Sequence, residues 1–211
     1  MEKFYCRGKE KRIRLVEKYE ITPISRTVLL NGQIKHSAAG DTITREYYCF
    51  SYKERNTNNK TDTFIVGTFA AKHFLELLKI DSFPIFNILK SDENFREENN
   101  YETILSKEEK WNPLALELNN VINIILIMWD KIGGTLAEIL VDIRKNYSKE
   151  PYLRYIKSVN TIISKDHNNR TVYNMLDVLR GKNKIKEYDF PLIDKILLEN
   201  GIKNYITGNG K

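Results

Sequence analysis

Thr61-Asp-Thr-Phe-Ile-Val-Gly-Thr-Phe-Ala-Ala-Lys-His-Phe-Leu-Glu-Leu-Leu-Lys-Ile80 reads as a strand that breaks into a helix. Phe64, Ile65 and Val66 are the aromatic and β-branched side chains that a pleated, half-buried surface favours. Gly67 offers a residue free to turn at positive φ, and Thr68 is placed to cap the helix that follows. Beyond it Phe69, Ala70, His73, Phe74, Leu77 and Leu78 recur at helical spacing. Ala70, Phe74, Leu77 and Leu78 are therefore expected to share a buried face, with His73 at its edge.

Upstream, Tyr47 to Asp62 runs as a strand, a loop rich in Asn and Thr, and a return into Phe64-Ile65-Val66, which makes a hairpin feeding a helix. Alternation over Thr42 to Lys53 puts Tyr48, Phe50 and Tyr52 on one face and Arg45, Tyr47, Cys49 and Ser51 on the other. Asn31-Gly32 predicts a hairpin turn between Val28-Leu29-Leu30 and Gln33-Ile34-Lys35. Pro23 argues that the strand around it lies at a sheet edge. The first stretch, Phe4 to Tyr19, reads as a strand with Ile13, Leu15 and Glu17 on one face and Arg12, Arg14 and Val16 on the other, a short helix being the alternative.

The hairpin followed by Val66-Gly-Thr-x-x-Ala-Lys-His-Phe74 resembles the zinc-ribbon or treble-clef modules of bacterial and phage proteins, over about the first third of the chain. Such a module implies zinc held by an early cysteine pair and a cysteine at the helix start. Here Ala70 or Ala71 stands at the helix start, and Cys6 alone represents the early pair, so the resemblance implies a degenerate module. Cys6, His36, Cys49 and His73 have the residue types for zinc but form no close-paired knuckle. Cys49 on an aromatic strand reads as a small buried hydrophobe and His73 as a satisfied polar group, and no metal or other cofactor is expected.

After Asp81 the composition shifts. Ser91 to Asn100 is an acidic loop, and residues 91–110 read as a linker between a β-rich domain, 1–90, and a helical bundle, 111–211. The expected class is α+β. Leu114, Leu118, Val121, Ile125 and Met128, with Ile122, Ile124, Leu126 and Trp129, make a first helix that is apolar nearly all round and belongs at the centre. Four more follow: one on Leu136, Ile139, Leu140 and Ile143; one on Ile156, Val159 and Ile163; one from about Thr171; and one capped by Asp189 with Pro191 in its first turn.

Composition limits the function classes. The 211 residues are 41% hydrophobic and 29% charged, which fits a globular chain. Met1 to Glu10 lacks the apolar stretch of a signal peptide, and the apolar run from Val121 to Trp129 is too short to span a bilayer, so a cytoplasmic protein without membrane contact is expected. No P-loop, dinucleotide fingerprint or Gly-x-Ser-x-Gly is present. Glu108-Glu-Lys110 has the residue types of a carboxylate nuclease but reads as a solvated face, and Asp166-His-Asn-Asn-Arg170 as a polar interhelical loop. No catalytic residues are assigned.

The net charge of +6 is segregated. Residues 1–60 carry 13 Lys and Arg against 7 Asp and Glu, residues 61–150 carry 10 against 15, and residues 151–211 carry 11 against 6. Arg7, Lys9, Lys11, Arg12 and Arg14 form a basic run beside Phe4 and Tyr5, while Lys53, Arg55 and Lys60 line the main hairpin. Cations contact phosphates, and aromatics such as Tyr48, Phe50 and Tyr52 stack bases, so these eight cations are the expected nucleic-acid-binding set, for DNA or RNA. Lys182-Asn-Lys-Ile-Lys186 is a second basic segment. The alternative is an inhibitor of phage or mobile-element origin, of the anti-defence type, that binds a host protein or nucleoprotein complex.

Overall fold

The computed structural model describes residues 4–57, 59–81, 83–90, 110–129 and 131–208, and the fold is α+β. The chain divides into two compact units: Met1–Asn87 with Asp130–Glu138, and Ile88–Trp129 with Ile139–Lys211. Most of the expected linker, 91–109, lies outside the described residues, as do Glu108 and Glu109.

The first unit begins with α1 (Lys9–Lys18), then β1 (Tyr19–Val28), β2 (Lys35–His36), β3 (Thr42–Ile43), β4 (Glu46–Glu54), β5 (Asp62–Gly67), α2 (Thr68–Leu78) and β6 (Ile85–Phe86). The basic run is thus a helix where alternation suggested a strand. Lys, Glu, Arg and Leu are strong helix formers, and Arg12, Leu15, Val16 and Tyr19 are the residues turned inward, at i, i+3, i+4 and i+7. Ile13, placed on one strand face with Leu15, is exposed while Leu15 is buried.

The sheet has the order β5-β4-β1-β6. β4 pairs antiparallel with both β1 and β5, and β6 lies parallel to β1 at Arg26 and Thr27. The expected hairpin into α2 is present as β4, β5 and α2. β1 is an interior strand, contrary to the edge expectation, yet β6 reaches only Arg26 and Thr27. Among the described residues no strand pairs with β1 at Pro23 on that side, and the ladder shifts register between Pro23 and Ser25. Asn31-Gly32 does form a turn, with Gly32 at φ 82. It joins no hairpin, because β1 pairs with β4 while β2 pairs with β3.

One sheet face is the core: Tyr48, Phe50, Phe64 and Val66 pack with Leu15, Ala70, Ala71, Phe74 and Leu75 of the two helices. Leu77 and Leu78 are only half-buried, and Ala71 and Leu75 fill the places expected of them. The other sheet face is buried too, at Tyr47, Cys49, Ser51 and Thr63. There Thr63 donates to the Ile132 carbonyl at 2.8 Å, and Thr61 donates to Glu138 at 2.5 Å. A Cβ added at Gly134 would lie 2.1 Å from the Thr61 carbonyl oxygen, whereas one at Gly133 meets nothing within 4 Å. Gly134→Ala is expected to cost about 1–3 kcal/mol, and Gly133→Ala no more than about 0.5 kcal/mol. Urea denaturation of the two variants checks this; equal midpoints would show that the close approach is not structural.

The second unit contains α3 (Pro113–Met128), the part of α4 (Gly134–Lys145) from Ile139 onward, α5 (Leu153–Ile163), α6 (Val172–Arg180) and α7 (Pro191–Glu199). Asn112 caps α3 by accepting from Leu114 and Ala115, and nearly every residue from Leu118 to Ile127 is buried, as the all-round apolar pattern predicts. Thr171 and Asn174 close a capping box on α6. The cap of α7 differs from expectation. Asp189 makes no cap; Phe190 holds that position, and the Glu117 carboxylate from α3 accepts from Leu192 and Ile193 at 3.2 and 3.0 Å. Among the described residues no helix is long and apolar enough to cross a membrane.

Candidate nucleic-acid interface

In the first unit α1 and α2 both begin at a cleft of about 530 Å³, lined by Arg7, Lys9, Arg12, Arg45, Thr68 and Phe69 among others. Gly8, at φ 88, precedes α1 and Gly67 precedes α2, and neither start has a side-chain cap. Gly67 is extended, at φ −72, so the strand-to-helix break needs no positive φ. Thr68, expected as a cap, instead donates to Glu46 at 3.1 Å. The uncapped N–H groups and the helix dipoles add positive potential to the cleft mouth.

Two acidic groups, Asp41 and Glu46, also line the cleft. Glu46 is neutralised by Arg26, whose Nη2 lies 2.9 Å from Oε2 and whose Nε also donates to it. Among the described residues Arg7, Lys9 and Arg45 have no ion-pair partner and all are exposed. The balance at the cleft is therefore cationic. Phe69 is 78% exposed at its edge; Tyr5, 48% exposed, is not part of the lining and has its ring against Gly40.

The eight expected cations separate into four groups. Arg7 and Lys9 line the cleft, and Lys11 and Arg14 lie on the solvent face of α1. Arg12 is a correction: it is only 3% exposed. Its Nε donates to His73 Nδ1 at 3.0 Å and its Nη1 to the Cys6 carbonyl at 3.1 Å, so it holds α1 to α2. Lys53, Arg55 and Lys60 lie at the hairpin end, where Arg55 donates to the Lys18 and Val16 carbonyls at the C-terminus of α1. Ten helical residues, about 15 Å, separate that end from the cleft. Lys18 and Asn59 both engage Glu54 there, which tempers its charge.

The sheet aromatics are not a stacking platform. Phe50 is fully buried and Tyr48 nearly so, and Phe4 stacks on Phe64 with centroids 4.2 Å apart, beside Tyr19 and Tyr52. In the first unit the described aromatics that are exposed, Phe69 and Tyr5, had no place in the expected stacking set, and neither did Arg45 among the cations. For Phe69 the signal was present: a helical wheel sets it well off the face shared by Ala70 and Phe74.

Burial pushes the Cys6 thiol up to about 11, against the lowering effect of Arg12, so Cys6 is a neutral core group. Its neighbour Tyr48 faces the same core, while Cys49 points to the opposite sheet face. An arginine has donors only, so His73 Nδ1 accepts from Arg12 and the imidazole is neutral. Its pKa is lowered, first by burial and then by Arg12. Among the described residues no three His, Cys, Asp or Glu side chains gather closely enough to hold a metal ion.

A family model described as Uncharacterised conserved protein UCP028583 matches residues 5–203. No curated protein and no solved structure matches the chain.

Proposed function

We propose that the chain, which belongs to the family Uncharacterised conserved protein UCP028583, is a non-enzymatic nucleic-acid-binding protein that works in the cytoplasm. One observation carries this reading: Arg7, Lys9 and Arg45, without ion-pair partners among the described residues, share a cleft with the exposed ring of Phe69. Arg7, Lys9 and Arg45 take phosphates, with the uncapped starts of α1 and α2 adding to the field. Phe69 and Tyr5 offer π-faces to bases. Lys11 and Arg14 extend the charge along α1, while the hairpin cations contribute at longer range.

The test is a fluorescence-anisotropy titration with labelled single-stranded DNA, duplex DNA and RNA at two salt concentrations. Arg7→Glu plus Lys9→Glu is expected to weaken binding roughly tenfold and to flatten the salt dependence by about 0.7–0.9 for every phosphate that is no longer neutralised. Phe69→Ala is expected to weaken single strands by about fivefold or more. Arg12 is kept intact, since its removal would act through folding. No binding by the unaltered protein at low salt would overturn the proposal and leave the host-protein inhibitor reading in its place.

A further inference from the structure

The helix α5 has a charge pattern that the first unit's cleft does not use. Arg154, Lys157 and Thr161 fall at i, i+3 and i+7 on one side of the helix, Lys165 follows in the turn beyond its end, and all four are exposed. Ile156, Val159 and Ile163 are buried on the opposite side, and Asn160 is buried at the flank between the two. From Pro151 to Lys165 there is no acidic residue. The three cations extend over about 16 Å, and none has an ion-pair partner among the described residues.

Two tyrosines border this stripe. Tyr152, 61% exposed, precedes the helix, with the Arg154 guanidinium 4.8 Å from its ring centroid. At the other border the Asn160 side chain donates to the Lys203 carbonyl at 2.8 Å and accepts from the Tyr205 amide at 2.7 Å, which ties the chain's last segment to α5. Lys203 stands over the exposed Tyr205 ring at 5.1 Å. The more obvious basic segment, Lys182 to Lys186, lacks this purity. It is followed by Glu187, which pairs with Lys90 and Arg180 at 3.1 Å each.

We infer that the outer face of α5, with Lys203 and Tyr205, is a second nucleic-acid-binding surface, one that takes a single strand. Arg154, Lys157 and Lys165 meet successive phosphates, as a line of cations favours a polyanion, and the nearby Asp142 carboxylate is engaged by the Tyr155 hydroxyl at 2.9 Å. Tyr152 and Tyr205 stack unpaired bases, which a duplex does not present. The surface lies within the second unit and needs nothing from the cleft.

The experiment uses the full chain and anisotropy titration with a labelled poly-pyrimidine strand and a duplex of equal length, at two salt concentrations. Arg154→Glu plus Lys157→Glu is expected to weaken the single strand roughly tenfold and to lower the salt slope by about 1.4, that is about 0.7 for each of the two phosphates. Tyr152→Ala is expected to weaken the strand by about fivefold or more and leave the duplex unchanged. All three residues are exposed, so an unchanged thermal midpoint separates binding from folding. Wild-type affinity in the double variant overturns the inference. If that variant binds normally while Arg7→Glu plus Lys9→Glu does not, this surface fails and the cleft stands; the reverse result sinks the cleft alone. Sedimentation with anionic vesicles, without any binding of the strand, would assign the stripe to a lipid surface and also overturn it.

Discussion

Asp166→Ala is expected to lower stability by about 3–5 kcal/mol, the usual result of removing one partner of a buried ion pair. The Asp166 carboxylate is buried at the turn after α5 and accepts from the Trp129 indole at 2.8 Å and from the Asn168 and Arg170 amides at 3.0 Å each. It also takes Arg170 in a fork, Nε at 3.0 Å and Nη2 at 2.9 Å. Alanine leaves a half-buried guanidinium and an indole N–H without acceptors. Asp166→Asn keeps the shape but loses the charge and is expected to fall between. The hydrogen bonds from Arg170, with that from Trp129, hold the carboxyl well below its ordinary 3.8 against the opposing effect of burial. A depressed carboxyl favours the folded state above its unfolded pKa, and that contribution fades as the pH falls below 3.8 toward the folded value. Urea denaturation near neutral pH and in acid tests both parts. Equal midpoints for wild type and Asp166→Ala near neutrality would refute the first, and an equal loss of stability in acid the second.

Arg12→Ala is expected to cost about 2–4 kcal/mol, because it removes two hydrogen bonds from a charged donor and the packing of a buried stem. Arg14→Ala, on the exposed side of the same helix, should stay within about 0.5 kcal/mol. Arg12→Lys is not a conservative replacement. A lysine has no planar fork with which to meet His73 Nδ1 and the Cys6 carbonyl together. The same variants report on His73. Its lowered pKa means that the folded state prefers the neutral ring, so stability is full above the ordinary 6.5 and declines as the pH falls through the lower folded value. In Arg12→Ala the His73 titration, followed by NMR, is expected to move up yet remain below 6.5, since burial is the larger cause. Unchanged titration would show that Arg12 does not face the ring in solution.

These two arginines show why the basic run was only partly legible. In Lys9-Glu-Lys-Arg-Ile-Arg-Leu-Val-Glu-Lys18 the cations look alike, and composition favours solvent for each of them. Arg12 is buried because α2 brings His73, 61 residues away, to its Nε. Nothing in a window of neighbours carries that information. The strand reading of the same run failed for a related reason: alternating apolar residues fit both periods over so short a stretch, and contact with α2 selects the helical one. Within the aromatic strand Tyr48-Cys-Phe-Ser-Tyr52 the alternation was right, but it did not say that both faces would be covered.

What the chain determines locally is what short-range physics decides: the hairpin into α2, the apolar central helix α3, the five helical segments after Trp111, and the Thr171 start of α6. Propensity, periodicity and side-chain capping act over a few residues and are present in the order of the amino acids. Tertiary structure alone decided that Glu117 rather than Asp189 serves α7. It also placed Arg7, Lys9, Arg45 and Phe69 around one cleft and set the hairpin cations at the far end of α1. Those arrangements join residues dozens of positions apart, and which of them meet depends on strand pairing and core packing rather than on any local preference.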